Sequence, residues 1–417
     1  MHIQKTKKSI NNKKENKMNV SSKHSHTAIG LMSGTSADGV DAALISIPAS
    51  PTSSNVEVLE FKSYPYSDEI RRRVLEACGD PGVNTEEICS LHREVGEVFA
   101  EAALAIIKKH HMTPNQVDFM GSHGQTVRHL PKGGKNSQGA LLPSTLQIGD
   151  PSIIAEKTGS TIISDFRSRD VAAGGMGAPL TPWAHRTLFE NSNYPCAFLN
   201  LGGISNITYI PPSSEDGIMG FDAGPANMAL DTLANKISGG KAQFDLGGEI
   251  AARGQINEKA LASLMEHPYL KLRPPKSTGR ETFGETFLSD TIDILASLGE
   301  SDENQMATLT AFSARCIIKA VNNYFPTDAP PKEIIAGGGG VHNKSMMRYL
   351  QEGLDPIPVV SSAVHEIDPN AVEAVSFALL AWATLRGEPA NIPAATGASH
   401  AVVLGNITPG KNYLSVL

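Results

Sequence analysis

Short apolar runs alternate with longer segments whose apolar residues recur at helical spacing. Thr27 to Met32, Ala42 to Ile47 and Val56 to Tyr64 are predicted strands separated by turn residues, and a helix starts at Asp68. Another helix spans about Thr85 to His110, where Val95, Val98, Phe99, Ala102, Ala103, Ile106 and Ile107 fall on one face. Val117 to Gly121 then forms a buried strand that ends in the polar turn Ser122-His123-Gly124-Gln125-Thr126. Such alternation predicts an α/β protein with sheets covered by helices.

The same grammar restarts near Cys196. An apolar run, Cys196 to Leu201, breaks into Gly202-Gly203-Ile204-Ser205-Asn206 and resumes over Ile207 to Ile210. A helix over Thr308 to Val321 and a strand over Glu333 to Ile335 follow, and the strand leads into the glycine run Gly337 to Gly340. A last helix, about Ala371 to Leu385, is expected to cross between two duplicated, facing domains.

Three glycine-polar turns thus end predicted strands: Ser33 to Asp41, Gly202 to Asn206 and Ala336 to Asn343. Glycine lets backbone approach an anion, and the hydroxyls of Ser33, Thr35 and Ser36 can donate to phosphate. Open α/β folds bind ligands beyond the carboxyl ends of strands, so turns from two domains can grip a nucleotide between them. The Walker P-loop sequence and a dinucleotide-binding GxGxxG opening a helix are both missing.

Composition narrows the partners. A chain of 417 residues exceeds one hydrophobic core, and 40% apolar with 19% charged residues is ordinary for a globular enzyme. A net charge of -7 argues against a nucleic-acid binder. The lysines before Met18 belong to an expected disordered basic tail, residues 1–25, and no apolar run is long enough to cross a bilayer. Cys78, Cys89, Cys196 and Cys316 form no CxxC pair, which fits thiols in a reducing cytoplasm.

The wording of the motifs resembles the anhydro-N-acetylmuramic acid kinases of the sugar kinase, Hsp70 and actin superfamily. It covers Thr27 to about Pro409 through GLMSGTSADGVDAALI, SHGQTVRH, QIGD, SDFRSRDVAAGGMGAPL, NLGGISN, GFDAGPAN, PPKSTGRE, AGGGGVHN and TGAS. The resemblance implies two facing, duplicated ribonuclease H-like (actin-like ATPase) domains around a cleft. The expected units are 26–165 with 388–417, and 166–387. It also implies ATP and Mg2+ as cofactors, a small anhydro sugar as substrate, no nucleic-acid or membrane partner, and a cytoplasmic homodimer.

The implied reaction hydrolyses a 1,6-anhydro bridge and phosphorylates the released 6-oxygen. Asp222 falls at the family's catalytic base. Gly34, Thr35, Ser36, Asp38, Gly39, Val40 and Asp41 stand for the first phosphate turn, Gly202 and Gly203 for the second, and Gly337, Gly338, Gly339 and Asn343 for the adenosine site. Asp38 and Asp222 are the implied metal carboxylates. Asp38, His123, Gln125, Thr126, Asp165, Arg167 and Glu373 are the implied sugar contacts.

Several residues carry two readings on sequence alone. Asp222 is a water-activating base or the Asx residue of a bend; Arg167 donates its planar fork to a sugar carboxylate or phosphate, or Asp165 with Arg167, or Asp170 with Arg169, forms a structural pair. His123 is a sugar contact or a hydrogen-bonded loop histidine, Glu373 a sugar contact or a helix-face charge, and Gly174, Gly175 and Gly177 a hinge or a tight turn. Ala223, Ala226 and Met176 depart from the family pattern, and Ala226 would restrict its turn if a positive φ were needed there. Levoglucosan kinase and a non-catalytic ATP-binding switch are the alternative functions.

Overall fold

The computed structural model describes residues 25–48, 56–79, 83–136, 139–212 and 217–416. The expected basic tail lies outside the described residues, except for Ser25. In chain order the strands are β1 Ser25–Ser33, β2 Gly39–Pro48, β3 Glu57–Pro65, β4 Phe119–Leu130, β5 Gly134–Asn136, β6 Gly139–Leu141 and β7 Ser144–Ile148. They continue as β8 Thr161–Ser164, β9 Cys196–Leu201, β10 Ile204–Ile210, β11 Met219–Pro225, β12 Ile334–Gly337, β13 Val359–Ser361 and β14 Asn406–Thr408.

Two sheets repeat one plan. The first runs β14-β8-β4-β1-β2-β3, with β7 on the far half of β4; the second runs β11-β10-β9-β12-β13, and β5 and β6 pair apart. In each, three antiparallel strands are joined by two parallel ones on the other side of the first strand: β1-β2-β3 with β4 and β8, and β9-β10-β11 with β12 and β13. The order third-second-first-fourth-fifth occurs twice, which is the duplicated ribonuclease H-like architecture expected from the motifs. Parallel strands need long crossovers, and helices supply them.

Local chemistry explains the longest helices. Helix Thr85–Lys109 starts where the Asn84 side chain accepts from the Glu87 N–H at 2.9 Å, carries Glu86 and Glu87 in its first turn, and ends with Lys108 and Lys109 against the dipole. Its apolar face, with Val95, Phe99, Ala103 and Ile106, packs on the first sheet. Helix Asp302–Tyr324 starts at the Ser301 cap and packs Leu309, Ala314 and Ile317 into the core of the second sheet.

Helix Val372–Leu385 is buried nearly all round from Ala374 to Thr384, as an element packed on both sides must be. Most of it lies on β1, β4 and β2. Val372 at its start instead joins Phe198 and Ile335 of the second sheet. The helix therefore bridges the two units as expected, but its body packs on the sheet of the first unit, although the expected boundaries assigned it to the second. Bare backbone makes this possible: an ideal Cβ on Gly30 of β1 would lie 1.7 Å from the Ala374 carbonyl oxygen, and one on Gly121 of β4 2.1 Å from that of Phe377.

A second difference concerns β4. The turn expected at Ser122 to Thr126 is continuous strand through to Leu130, because β7 pairs with residues 125–130 after β1 and β8 have paired with the first half.

Candidate active site

The first glycine-polar turn joins β1 to β2. Ala37 N–H closes it on the Gly34 carbonyl at 3.2 Å, and Ala37 itself sits at φ 53°, a conformation sparsely populated by residues with a Cβ. Buried Ser33 supports the turn from behind by donating to the Gly39 carbonyl at 2.6 Å and lying 2.7 Å from Gln125 Oε1. Gln125 Nε2 returns to the Gly34 carbonyl at 3.2 Å. Gln125, an expected sugar contact, is fully buried, and its side chain holds the turn.

Gly39 and Val40, also in the expected nucleotide set, lie at the start of β2. Both pair with β3, Val40 is buried in the core, and a Cβ on Gly39 would meet the Tyr64 carbonyl oxygen at 2.2 Å. Gly34, Thr35, Ser36 and Asp38 remain on the surface of the turn. Asp38 is exposed and pairs with Arg71 at 3.2 Å. Asp41 accepts from the Ser63 hydroxyl, and burial raises its pKa, helped by Asp38 and Asp368.

The second turn, Gly202-Gly203, faces the first. An ideal Cβ on Gly203 would lie 3.8 Å from Thr35 Oγ1. Passage of a phosphate chain between the turns therefore requires them to part or Thr35 to rotate. The Gly202 and Gly203 carbonyls accept the N–H groups of Ala226, Asn227 and Met228, so the second turn caps the helix Asn227–Ile237. Ala226 sits at φ −129°, outside the left-handed region, and its departure from glycine imposes no such strain.

Glycines of the third turn serve packing as well as access. Cβ atoms on Gly337 and Gly340 would lie 2.7 Å from Phe198 Cζ and 2.6 Å from Leu201 Cβ, whereas Gly339 has only Asn227 Nδ2 at 3.9 Å. Gly338, at φ 80°, donates to the Pro369 carbonyl at 2.7 Å. Asn343, an expected adenosine contact, caps the helix Lys344–Leu354 by accepting from Met346 N–H at 2.9 Å.

Asp222 lies on β11, the edge strand of its sheet. Its Oδ1 accepts from Asn206 Nδ2 at 2.9 Å, and its Oδ2 accepts from Ser277 Oγ at 2.9 Å and Thr278 N–H at 2.8 Å. These donors fix the plane of the carboxylate. The charge of Arg167 acts on Asp222: burial draws the guanidinium down to about 10 against the pull of Glu373, Asp222 and Asp170.

Arg167 is itself oriented. Its Nε donates to His123 Nε2 at 2.9 Å and its Nη1 to the Gly177 carbonyl at 2.6 Å. His123 must then carry its proton on Nδ1, which donates to the Gly124 carbonyl at 2.9 Å. Burial and the Arg167 charge hold this imidazole neutral, with its pKa well below the usual value. His123 acts on Arg167, and its ring packs on Phe377. Thr126 Oγ1 accepts from Gln147 at 3.2 Å.

Asp165 does not pair with Arg167. It accepts from the Ser168 hydroxyl and from Asn406 Nδ2 at 2.9 Å, joining β8 to β14. The glycines near Arg167 form a tight turn around buried Asp170. That carboxylate accepts from Gly177 N–H at 2.8 Å, Asn391 Nδ2 at 2.7 Å and Thr396 Oγ1 at 2.8 Å. A Cβ on Gly175 would strike Asp170 Oδ2 at 2.2 Å. The TGAS segment thereby buttresses the Arg167 loop.

Glu373, in the first turn of the bridging helix, is half-buried. Burial raises its pKa, Asp41 adds to the rise, and a hydrogen bond from Asn200 with the Arg167 charge opposes it. Sequence reasoning missed Asn200, Asn206, Ser277 and Thr278, although all four lie within quoted motifs. It also missed Asp231, whose pKa burial and Asp38 push up to about 7; only its spacing after GFDAGPAN could have flagged it.

Carboxylates thus outnumber cations along this wall. Among the described residues no three His, Cys, Asp or Glu side chains form a ready cation cage. The donor set suits a hard cation that keeps its water and takes phosphate oxygens.

The family model for anhydro-N-acetylmuramic acid kinase matches residues 26–410. A relative named anhydro-N-acetylmuramic acid kinase from Caldanaerobacter subterraneus subsp. tengcongensis is 40% identical over 393 residues, covering 94% of this chain and 99% of that protein. One of the same name from Bacillus thuringiensis subsp. konkukian is 40% identical over 387 residues, covering 91% and 98%. Among the described residues no helix is long and apolar enough to cross a membrane.

Proposed function

Because the chain belongs to the anhydro-N-acetylmuramic acid kinase family, we propose that it is an ATP-dependent sugar kinase. It opens the 1,6-anhydro bridge of 1,6-anhydro-N-acetylmuramic acid with water and phosphorylates the 6-oxygen. The observation that carries the mechanism is the Asp222 carboxylate, held by Asn206, Ser277 and Thr278 and facing the charge of Arg167.

Asp222 orients a water molecule toward the anomeric carbon and takes its proton as the carbon–oxygen bond to the 6-oxygen breaks. The released 6-oxygen attacks the γ-phosphorus, the bond to the β,γ-bridging oxygen breaks, and ADP leaves. The products are N-acetylmuramate 6-phosphate and ADP. Arg167, locked by His123 and the Gly177 carbonyl, offers its remaining donor edge to the lactyl carboxylate of the sugar.

Gly34, Thr35 and Ser36 face Gly202 and Gly203 across the path of the phosphates, and Gly338 and Gly339 border the nucleoside. Mg2+, when bound, supplies charge neutralisation at the transferring phosphoryl group. Asp38, Asp41 and Asp231 are the carboxylates that would hold it through water. On this reading Asp222 is kept for the proton. Levoglucosan kinase and a nucleotide switch are not favoured, since the named kinase relatives span nearly the whole chain.

ADP release should depend on 1,6-anhydro-N-acetylmuramic acid and exceed that with levoglucosan, and Asp222→Asn should abolish it. Undiminished sugar-dependent turnover in Asp222→Asn would remove the assigned base. Sugar-independent ATP hydrolysis alone would favour the switch. The proposal extends to a cytoplasmic homodimer, supported by the family resemblance and by cysteines without paired spacing; light scattering at twice the chain mass tests the dimer.

A further inference from the structure

Behind the reacting carboxylate lies a lysine that the mechanism above does not use. Lys276 is only 4% exposed, and among the described residues no carboxylate lies within ion-pair distance of it. Its ammonium nitrogen is instead surrounded by three aromatic rings, with centroids 4.7 Å away in Tyr269, 5.3 Å in Tyr324 and 5.8 Å in Phe221. A buried cation is costly, and a site needing only apolar packing is better filled by methionine or leucine.

The backbone around this lysine grips Asp222. The Lys276 carbonyl accepts the Asp222 N–H at 3.2 Å, Ser277 and Thr278 donate to its carboxylate, and the Tyr269 hydroxyl donates to the Asp222 carbonyl at 2.8 Å. β11 is the edge of its sheet, so no further strand fixes this side of Asp222. Phe221, the residue before Asp222, points into the core and forms one wall of the lysine cage. One end of residues 276–278 is thereby anchored in the core while the other end holds the carboxylate.

We propose that Lys276 is a positioning residue for the sugar-phosphorylating reaction: its caged ammonium latches residues 276–278 onto the edge of β11 and sets a positive charge behind Asp222. This rests on the reading of Asp222 as the proton acceptor. The groups that face Lys276 are Asp222 and Phe221 from β11, Cys316, Lys319 and Tyr324 from the helix Asp302–Tyr324, and Tyr269 from its own loop. The charge of Arg167 also acts on Asp222.

The test compares Lys276→Met, Lys276→Arg and Tyr324→Leu with wild type in sugar-dependent ADP release and thermal melting. Lys276→Met is expected to lower kcat at least about tenfold while the KM for ATP stays within about twofold. Loss of a neighbouring positive charge favours a protonated carboxylate, so the acid limb of its kcat profile should move up by about half a pH unit or more. Lys276→Arg keeps the charge and should keep the limb at its wild-type position.

Tyr324→Leu removes one ring and leaves the lysine; it should lower kcat with little change in the KM for ATP, and it decides the matter if Lys276→Met does not fold. Wild-type kcat and acid limb in folded Lys276→Met, or wild-type kcat in Tyr324→Leu, overturns the proposal. Asp222→Asn separates the two readings. If it is inactive while Lys276→Met behaves as wild type, only the latch is wrong; if it retains turnover, the base assignment falls whatever Lys276 does.

Discussion

The Asn200 side chain lies beside Glu373, where it draws the carboxyl pKa down, and so sets the end of β9 in one sheet against the first turn of the helix that rests on the other. Asn200 also borders the glycine run: its Oδ1 lies 2.5 Å from an ideal Cβ on Gly338. One amide thus lies beside the second glycine turn, the glycine run and a half-buried carboxylate. Asn200→Ala would remove the amide that lies between Glu373 and Gly338, a cost of about 1 kcal/mol. Both melting temperature and sugar-dependent turnover should fall; wild-type turnover in a folded variant would show that the amide is not needed for catalysis.

Arg167→Lys should raise the KM for the sugar by about tenfold or more, with the KM for ATP nearly unchanged. Lysine cannot reproduce the fork that bonds both His123 and the Gly177 carbonyl while facing the cleft. Equal changes in both KM values would place Arg167 on the nucleotide instead.

Gly30→Ala and Gly121→Ala should each destabilise the protein by about 2 kcal/mol or more, because the new methyl meets helix backbone rather than a flexible side chain. Denaturant unfolding measures the loss. Activity should fall even where the fold survives, since the displaced helix carries Glu373. A neutral Gly121→Ala variant would contradict the close helix–sheet contact.

Asp231 gives a pH test of the cleft charge. Its pKa is raised in the folded protein to about 7, first by burial and then by Asp38, so folding favours the protonated form. The associated stability is present below about pH 4 and is lost as pH rises through about 7. Asp231→Asn should therefore stabilise the unliganded protein by about 2 kcal/mol at pH 8 and by little at pH 4. The full linkage value is reduced because Asp38 is exposed. A pH-independent difference between the two proteins would exclude this cause.

Much of the fold was legible because each element declares itself over a short window. The strand Cys196–Leu201 and the start of the helix Thr85–Lys109 follow from apolar runs and a cap. Less legible was Ser122 to Thr126. Its glycine and polar residues signal a turn, but pairing with β7, remote in function yet near in chain, keeps it extended. Gln125 and Asn343 show the same gap at the site: their motifs mark them as special, while burial and partners turn one to bracing a loop and the other to capping a helix.

By itself the sequence determined the duplicated α/β plan, the three glycine-polar turns, the family, and the motif that contains Asp222, because these depend on residue order and local conformational preference. Only the tertiary structure decided which polar groups meet. It placed Asn206, Ser277 and Thr278 on the Asp222 carboxylate, His123 behind Arg167, and Asn200 on Glu373. It also laid the bridging helix on the first sheet through Gly30 and Gly121. Hydrogen bonding and desolvation act over a few ångströms in space, and residues far apart in the chain come within that range only when the sheets and helices pack.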